Sequence, residues 1–114
     1  MGSSRAMPEP KFGLTRAREF TAERAWGAVD IGEVDGASIR LHWTDTPYDW
    51  HVNDGNEVFA VLDGEVDMHI RHAGSVSVIA LAVGDVFYAH VGCEHVAHPR
   101  PAARVLVIER KGSL

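Results

Sequence analysis

His51, Glu57 and His95 are the side chains in this sequence whose types and spacing could do metal chemistry, with Asn53 beside them. On an extended strand, residues two apart point to the same face, so His51 and Asn53 look into one space. The Asp54-Gly55-Asn56 turn lets the chain reverse, and Glu57 can then enter the next strand facing that space. His95 arrives from a strand far along the chain, after a turn at Gly92. Two imidazoles and one carboxylate converging in an interior suit a first-row divalent metal. The metal-free alternative is a polar interior satisfied by hydrogen bonds and water. A Glu buried beside two His needs partners, because an unpaired buried charge is costly, and a metal supplies the pairing at once.

The elements that must position these residues read as strands. Trp26 to Val34 is strand-like and breaks at Asp35-Gly36, a hairpin turn. Ile39, Leu41 and Trp43 then alternate with Ser38, Arg40 and His42. Thr44 to Asp49, with Pro47, is a loop. Glu57 to Leu62 is a strand ended by Asp63-Gly64, and Val66, Met68 and Ile70 alternate with polar neighbours in another. His72-Ala73-Gly74 turns the chain into Ser75 to Val83, which ends at Gly84-Asp85. Val86 to Ala89, His95 to Ala97 and Arg104 to Glu109 complete about nine short strands, the pattern of an all-β sandwich or barrel. The best helical candidate is Thr15 to Ala25.

The 114 residues fit one domain. Residues 1–6 lack the apolar stretch of a signal peptide and read as a cloning remnant, with Met7 as the natural start. Residues 7–20, with Pro8, Pro10 and Gly13, form an arm that is disordered unless a partner holds it, and 21–114 form the barrel. A net charge of -5 gives no footprint for nucleic acid or an anionic membrane. No apolar run approaches the ~20 residues of a membrane span. One cysteine, Cys93, excludes an internal disulfide and agrees with a cytoplasmic setting.

Two segments, Trp50 to Gly64 and Gly84 to His95, resemble the paired signature motifs of the cupin superfamily. The family's first motif is a Gly, then His-x-His, three or four residues, Glu, six residues and Gly; His51, Glu57 and Gly64 match it. Its second is Gly, five residues, Pro-x-Gly, two residues, His, three residues and Asn; Gly84, Gly92 and His95 match it. The resemblance runs from residue 38 to 109. It implies a double-stranded antiparallel β-helix, or jelly-roll barrel, holding one divalent metal, natively iron or manganese, with zinc or nickel also able to bind. Asn53 stands where the family has its second His, His90 in place of Pro, and Pro99 in place of Asn. Either Asn53 ligates or holds a water, or it is silent. The remaining set then has the composition of the two-histidine, one-carboxylate triad of non-haem iron oxygenases.

The resemblance implies a metal-dependent enzyme acting on a small organic molecule, dioxygenase-like first and isomerase or lyase next. The competing reading is a binding module without turnover. His90 and Tyr88 are the candidates for an acid–base role. Phe59 and Val61 share the parity of Glu57 and should line the interior, and Trp43 and Trp50 are expected as core or cavity wall. His42, His69 and His72 are expected at the surface, and His98 should point away from His95. No DNA-binding helix-turn-helix is visible. A homodimer is expected, with an arm carrying Phe12, Phe20 and Trp26 covering a sheet edge of the partner.

Overall fold

Alternating apolar and polar residues pair into strands that bury their apolar side, and there are seven such strands among the described residues. The structure, a computed structural model, describes Pro8 and residues 10–111. The strands are β1 (Gly27–Val34), β2 (Ala37–Thr44), β3 (His51–Val52), β4 (Glu57–His72), β5 (Ser75–Leu81), β6 (Val86–Ala89) and β7 (Glu94–Arg110), all paired antiparallel. Asp35 and Gly36 carry φ of 48° and 81°, the left-handed pair that a two-residue hairpin between β1 and β2 requires.

The fold is built on β4 and β7, which pair with each other along nearly their whole length. The first half of β4 and the second half of β7 lie in a five-stranded layer ordered β1-β2-β7-β4-β6. Their other halves lie in a second layer, β3-β7-β4-β5. The core joins both layers: Phe59, Val61, Val105 and Val107 from the first meet Val66, Met68, Leu81 and Ala97 from the second. This is the antiparallel jelly-roll barrel that the strand pattern and the motif resemblance imply.

Two expectations change here. Asp63-Gly64 does not end a strand, because β4 runs on to His72 with register shifts around Leu62 and Glu65. The extra residue at Leu62 switches the inward parity from Phe59 and Val61 to Val66 and Met68, so both apolar sets face one interior. Gly64 makes the bend possible: its φ is 78°, and a Cβ there would sit 2.1 Å from the Ala102 carbonyl oxygen. Arg104 to Glu109 and His95 to Ala97 are likewise one strand, β7, so about nine expected strands become seven among the described residues.

Before β1 the expected helix over Thr15 to Ala25 is only a single 3-10 turn, Ala17–Glu19. Three residues do not close a self-supporting helix. This stretch is fixed from the barrel instead. Arg104 donates to the Phe20 carbonyl oxygen at 2.6 Å and to Thr21 Oγ1 at 3.0 Å, while its other nitrogen holds Asp63 at 2.6 Å. Further out, Phe12 and Leu14 are exposed. The proposed remnant at residues 1–6 and start at Met7 lie outside the described residues.

Candidate metal centre

The centre is assembled from both layers. In the second layer His51 on β3 lies directly opposite His95 on β7, with ring centroids 4.3 Å apart. In the first layer Glu57 opens β4, on the inward parity shared with Phe59 and Val61. His95 Nε2 stands 3.4 Å from Glu57 Oε1, and one ligand atom from each of His51, Glu57 and His95 falls within 4.8 Å of the others. Glu57 and His95 are buried and His51 is half-buried. These three residues form a group that could hold a metal ion.

Backbone carbonyls orient both rings. His51 Nδ1 is 3.2 Å from the Asp49 carbonyl oxygen and His95 Nδ1 is 3.4 Å from that of Cys93. A carbonyl only accepts, so each Nδ1 carries a proton, and the two Nε2 atoms are the ones a cation in the site would meet. The loops that deliver the strands are stitched together: Val91 N–H donates to Asn56 Oδ1, Asn53 N–H to the Cys93 carbonyl, and Gly92 N–H to the Asn53 carbonyl.

Asn53 is 3% exposed. Its amide nitrogen donates to the Ala89 carbonyl at 3.4 Å, which leaves Oδ1 buried with no partner. A buried acceptor with nothing to accept from is a cost that a cation can remove. The triad therefore fits a divalent metal, with two imidazoles and one carboxylate, and the Asn53 amide oxygen is a buried acceptor left unsatisfied.

Sequence reasoning missed a fourth titratable group. Glu109 on β7 is the direct cross-strand partner of Glu57. Two carboxylates so placed cannot both ionise cheaply. Burial, together with the hydrogen bond to Glu57 and its charge, pushes Glu109 up to about 7. Burial also pushes Glu57 upward, but hydrogen bonds from His95 and Glu109 and the nearby histidine charges outweigh it and hold Glu57 below the usual carboxylate range. Glu57 is thus the anion of the pair and Glu109 the proton carrier. Only the β4–β7 register could have revealed this pairing.

Around the group lies a cavity of about 250 Å³ with Phe59, Ala97 and Val107 as apolar wall and Trp26 and Tyr48 at its rim. Tyr48 packs edge-on against His51 at 5.5 Å and against Trp26 at 5.6 Å. His42 lines this cavity too, which corrects its expected surface position. The apolar residues of β2 invited that error. His42 lies opposite Val105, a fully buried interior residue, so His42 and the buried Thr44 face inward, while Arg40 on the same parity is exposed and paired with Asp30. Leu41 and Trp43 sit on the other face of β2, opposite Leu106 and Arg104, so Trp43 does not line the cavity.

His90 and Tyr88, the expected acid–base candidates, are exposed, do not line the cavity and pack edge-on against each other at 4.7 Å. Tyr88 lies opposite Val58, one residue out of phase with Glu57, which turns it outward. Trp50 is also outside the cavity, under the Arg71 guanidinium at 4.3 Å. His98 stacks on His69 at 4.0 Å, opposite Asp67 and away from His95. Burial, then the Glu57 charge, pushes the Cys93 thiol up, the opposite of an activated thiolate.

No protein-family model and no curated protein sequence matches the chain. Solved structures do match. A cupin-2 domain containing protein from Shewanella frigidimarina superposes with a TM-score of 0.71 at 23% identity, covering 79% of this chain and 85% of that one. A cupin superfamily protein from Desulfitobacterium hafniense gives 0.72 at 16% identity over 90% and 93%. Hydroxypropylphosphonic acid epoxidase from S. wedmorenis gives 0.61 at 15% identity, covering 72% of this chain and 49% of the enzyme. The chain has the fold of a small cupin domain.

Proposed function

We propose that this protein is a metal-dependent cupin enzyme acting on a small organic molecule, with one divalent ion on His51, Glu57 and His95 and the Asn53 amide oxygen as the further donor. The observation that carries the reading is the convergence of two imidazoles and a carboxylate, from opposite layers, at the wall of a largely apolar cavity. Bound there, a divalent metal supplies Lewis acidity or, if it is iron or manganese, access to O₂ chemistry.

The chain's own residues do the rest. The apolar wall selects a small ligand with little charge, and Trp26 and Tyr48 shield it from water. Glu109 keeps a proton beside Glu57 and so holds that carboxylate in its ionised form. Oxygenase chemistry is the first reading, on the two-histidine, one-carboxylate composition. Isomerase or lyase chemistry is the second, favoured by a neutral histidine in the same cavity that lies outside the triad's ligand cluster.

Elemental analysis of protein purified without a nickel step tests the metal. About one equivalent of iron or manganese, lost in His51→Ala and in His95→Ala, supports the reading. Wild-type protein that stays metal-free after iron, manganese, zinc and nickel are added back sinks it, and the cavity is then a metal-free binding site.

The protein is further proposed to be a cytoplasmic homodimer. Val29, Val86 and Tyr88 are exposed on the outer face of the first layer, and Phe12 and Leu14 are exposed on the arm. Light scattering behind size exclusion distinguishes dimer from monomer. Among the described residues no helix is long and apolar enough to cross a membrane.

A further inference from the structure

His42 presents an unused acceptor to the cavity. It lines the same space as the triad, yet it does not belong to the cluster whose ligand atoms fall within 4.8 Å of one another. Its Nδ1 is 3.1 Å from the Trp26 carbonyl oxygen. Since that oxygen can only accept, the ring's proton sits on Nδ1, and in the neutral ring Nε2 is a bare lone pair. Among the described residues the ring has no second hydrogen bond, and Nε2 is not among the sealed, unpartnered atoms, so it opens onto the cavity.

The orienting carbonyl is itself held in place. Trp26 has φ of 61°, a left-handed conformation that bulky residues avoid. Its indole N–H donates to the Thr46 carbonyl at 2.8 Å, and its ring packs edge-on to His42 at 6.0 Å. The backbone is thus kept in an unfavourable state that aims one carbonyl at one imidazole. Burial, with Arg40 acting the same way, holds His42 below the ordinary histidine value against the opposing pull of the Trp26 bond and the Glu57 charge. The other polar side chains of the cavity wall are the triad, Glu109, Trp26 and Tyr48. Glu109 is already committed to Glu57, the Trp26 indole to Thr46, and the Tyr48 phenol carries a hydroxyl of its own rather than a bare acceptor nitrogen.

We propose that His42 is the ligand-reading base of this cavity, its Nε2 accepting the hydroxyl proton of a small, largely apolar ligand of the phenol or enol class. The transfer balances within the site. The ligand's O–H bond breaks and its electron pair stays on oxygen, while the proton joins Nε2. The resulting imidazolium donates from Nδ1 to Trp26 and from Nε2 to the ligand oxygen, with the Glu57 carboxylate offsetting its charge. The proposal rests on the reading of the cavity as a small-molecule site but not on the metal.

The test uses full-length protein, stripped of metal with EDTA and separately loaded with zinc. Nitrogen-15 NMR of histidine-labelled protein at neutral pH, assigned through His42→Gln, reports the tautomer. Binding of 4-nitrophenol is compared with that of 4-nitroanisole, which has the same nitroaromatic ring but no donor. The expected result is a neutral ring protonated at Nδ1, whose Nε2 resonance shifts toward the protonated range with 4-nitrophenol alone. The wild type should prefer 4-nitrophenol by roughly tenfold, the value of one good hydrogen bond. His42→Phe should abolish the preference, and His42→Gln, which keeps an acceptor oxygen, should retain part of it. A ring protonated at Nε2, an equal affinity for the two probes, no binding of either, or a preference that survives in His42→Phe overturns the assignment. The preference in metal-stripped protein separates this outcome from the metal reading: it stands if zinc fails to bind, and its loss leaves the triad untouched.

Discussion

At the closed end of the barrel interior, midway along β4 and β7, Val61, Val66, Ala103 and Val105 are sealed from solvent to within 1%, while Glu57, Glu109 and His95 stand near the termini of the same two strands. The sealed end lies at the bend where β4 and β7 change layers. There the interior is methyl groups in contact, and each buried side chain adds roughly 1.5–3 kcal/mol. At the open end two carboxyls face each other and an amide oxygen lacks a partner. The closed end supplies stability that the open end spends on poised polar groups. The division lets the site keep unsatisfied donors and acceptors without unfolding the chain.

The largest effect should come from opening the sealed end. Met68 is fully buried, and Met68→Ala should lower unfolding free energy by about 3 kcal/mol in urea denaturation while leaving metal stoichiometry unchanged. A loss of metal in that variant would mean that the two ends are not separable. His95→Ala should do the reverse, weakening metal affinity by at least about 100-fold, or about 2.7 kcal/mol, by competition titration. Gly64→Ala attacks the bend itself. Its left-handed φ and the Ala102 carbonyl at 2.1 Å predict a loss of about 2 kcal/mol, seen as a lower urea midpoint.

The smallest effect sharpens the comparison through pH. Glu109 is raised to about 7, so between the ordinary carboxylate range and pH 7 the folded state holds a proton that the unfolded state has released. Stability from this group is therefore full in acid, falls as pH rises toward 7, and is flat above. In metal-free protein, Glu109→Gln keeps a donor to Glu57 without the penalty and should flatten that fall. Because Glu109 is half-exposed, solvent screening reduces the gain at pH 8 to about 1 kcal/mol. Parallel pH–stability curves for wild type and variant would show that Glu109 is not the proton carrier.

The sequence carried the local rules well. Asp35-Gly36 and Ala73-Gly74 read as turns because left-handed pairs have a short list of residues, and both adopt positive φ. His51, Glu57 and His95 were legible through spacing and motif. Glu57 to Leu62 and Val66 to Arg71 were legible as strands, but not as one. A bulge flips parity without changing composition, so it imitates a turn.

His42 and Glu109 mark the boundary of what the sequence by itself determines. Alternation on β2 shows that Ile39, Leu41 and Trp43 share one face and His42 takes the other, but not which face looks inward. That choice is made by pairing His42 with Val105 across 63 positions of chain, and by Arg104 drawing the arm over the outside. Nor does anything near Glu109 show that it faces Glu57; the long antiparallel register of β4 and β7 does that. Local chemistry fixes turns, strands and the ligand types. The identity of each residue's neighbour, and with it the charge it carries, is a property of strand pairing that exists only once the chain has closed on itself.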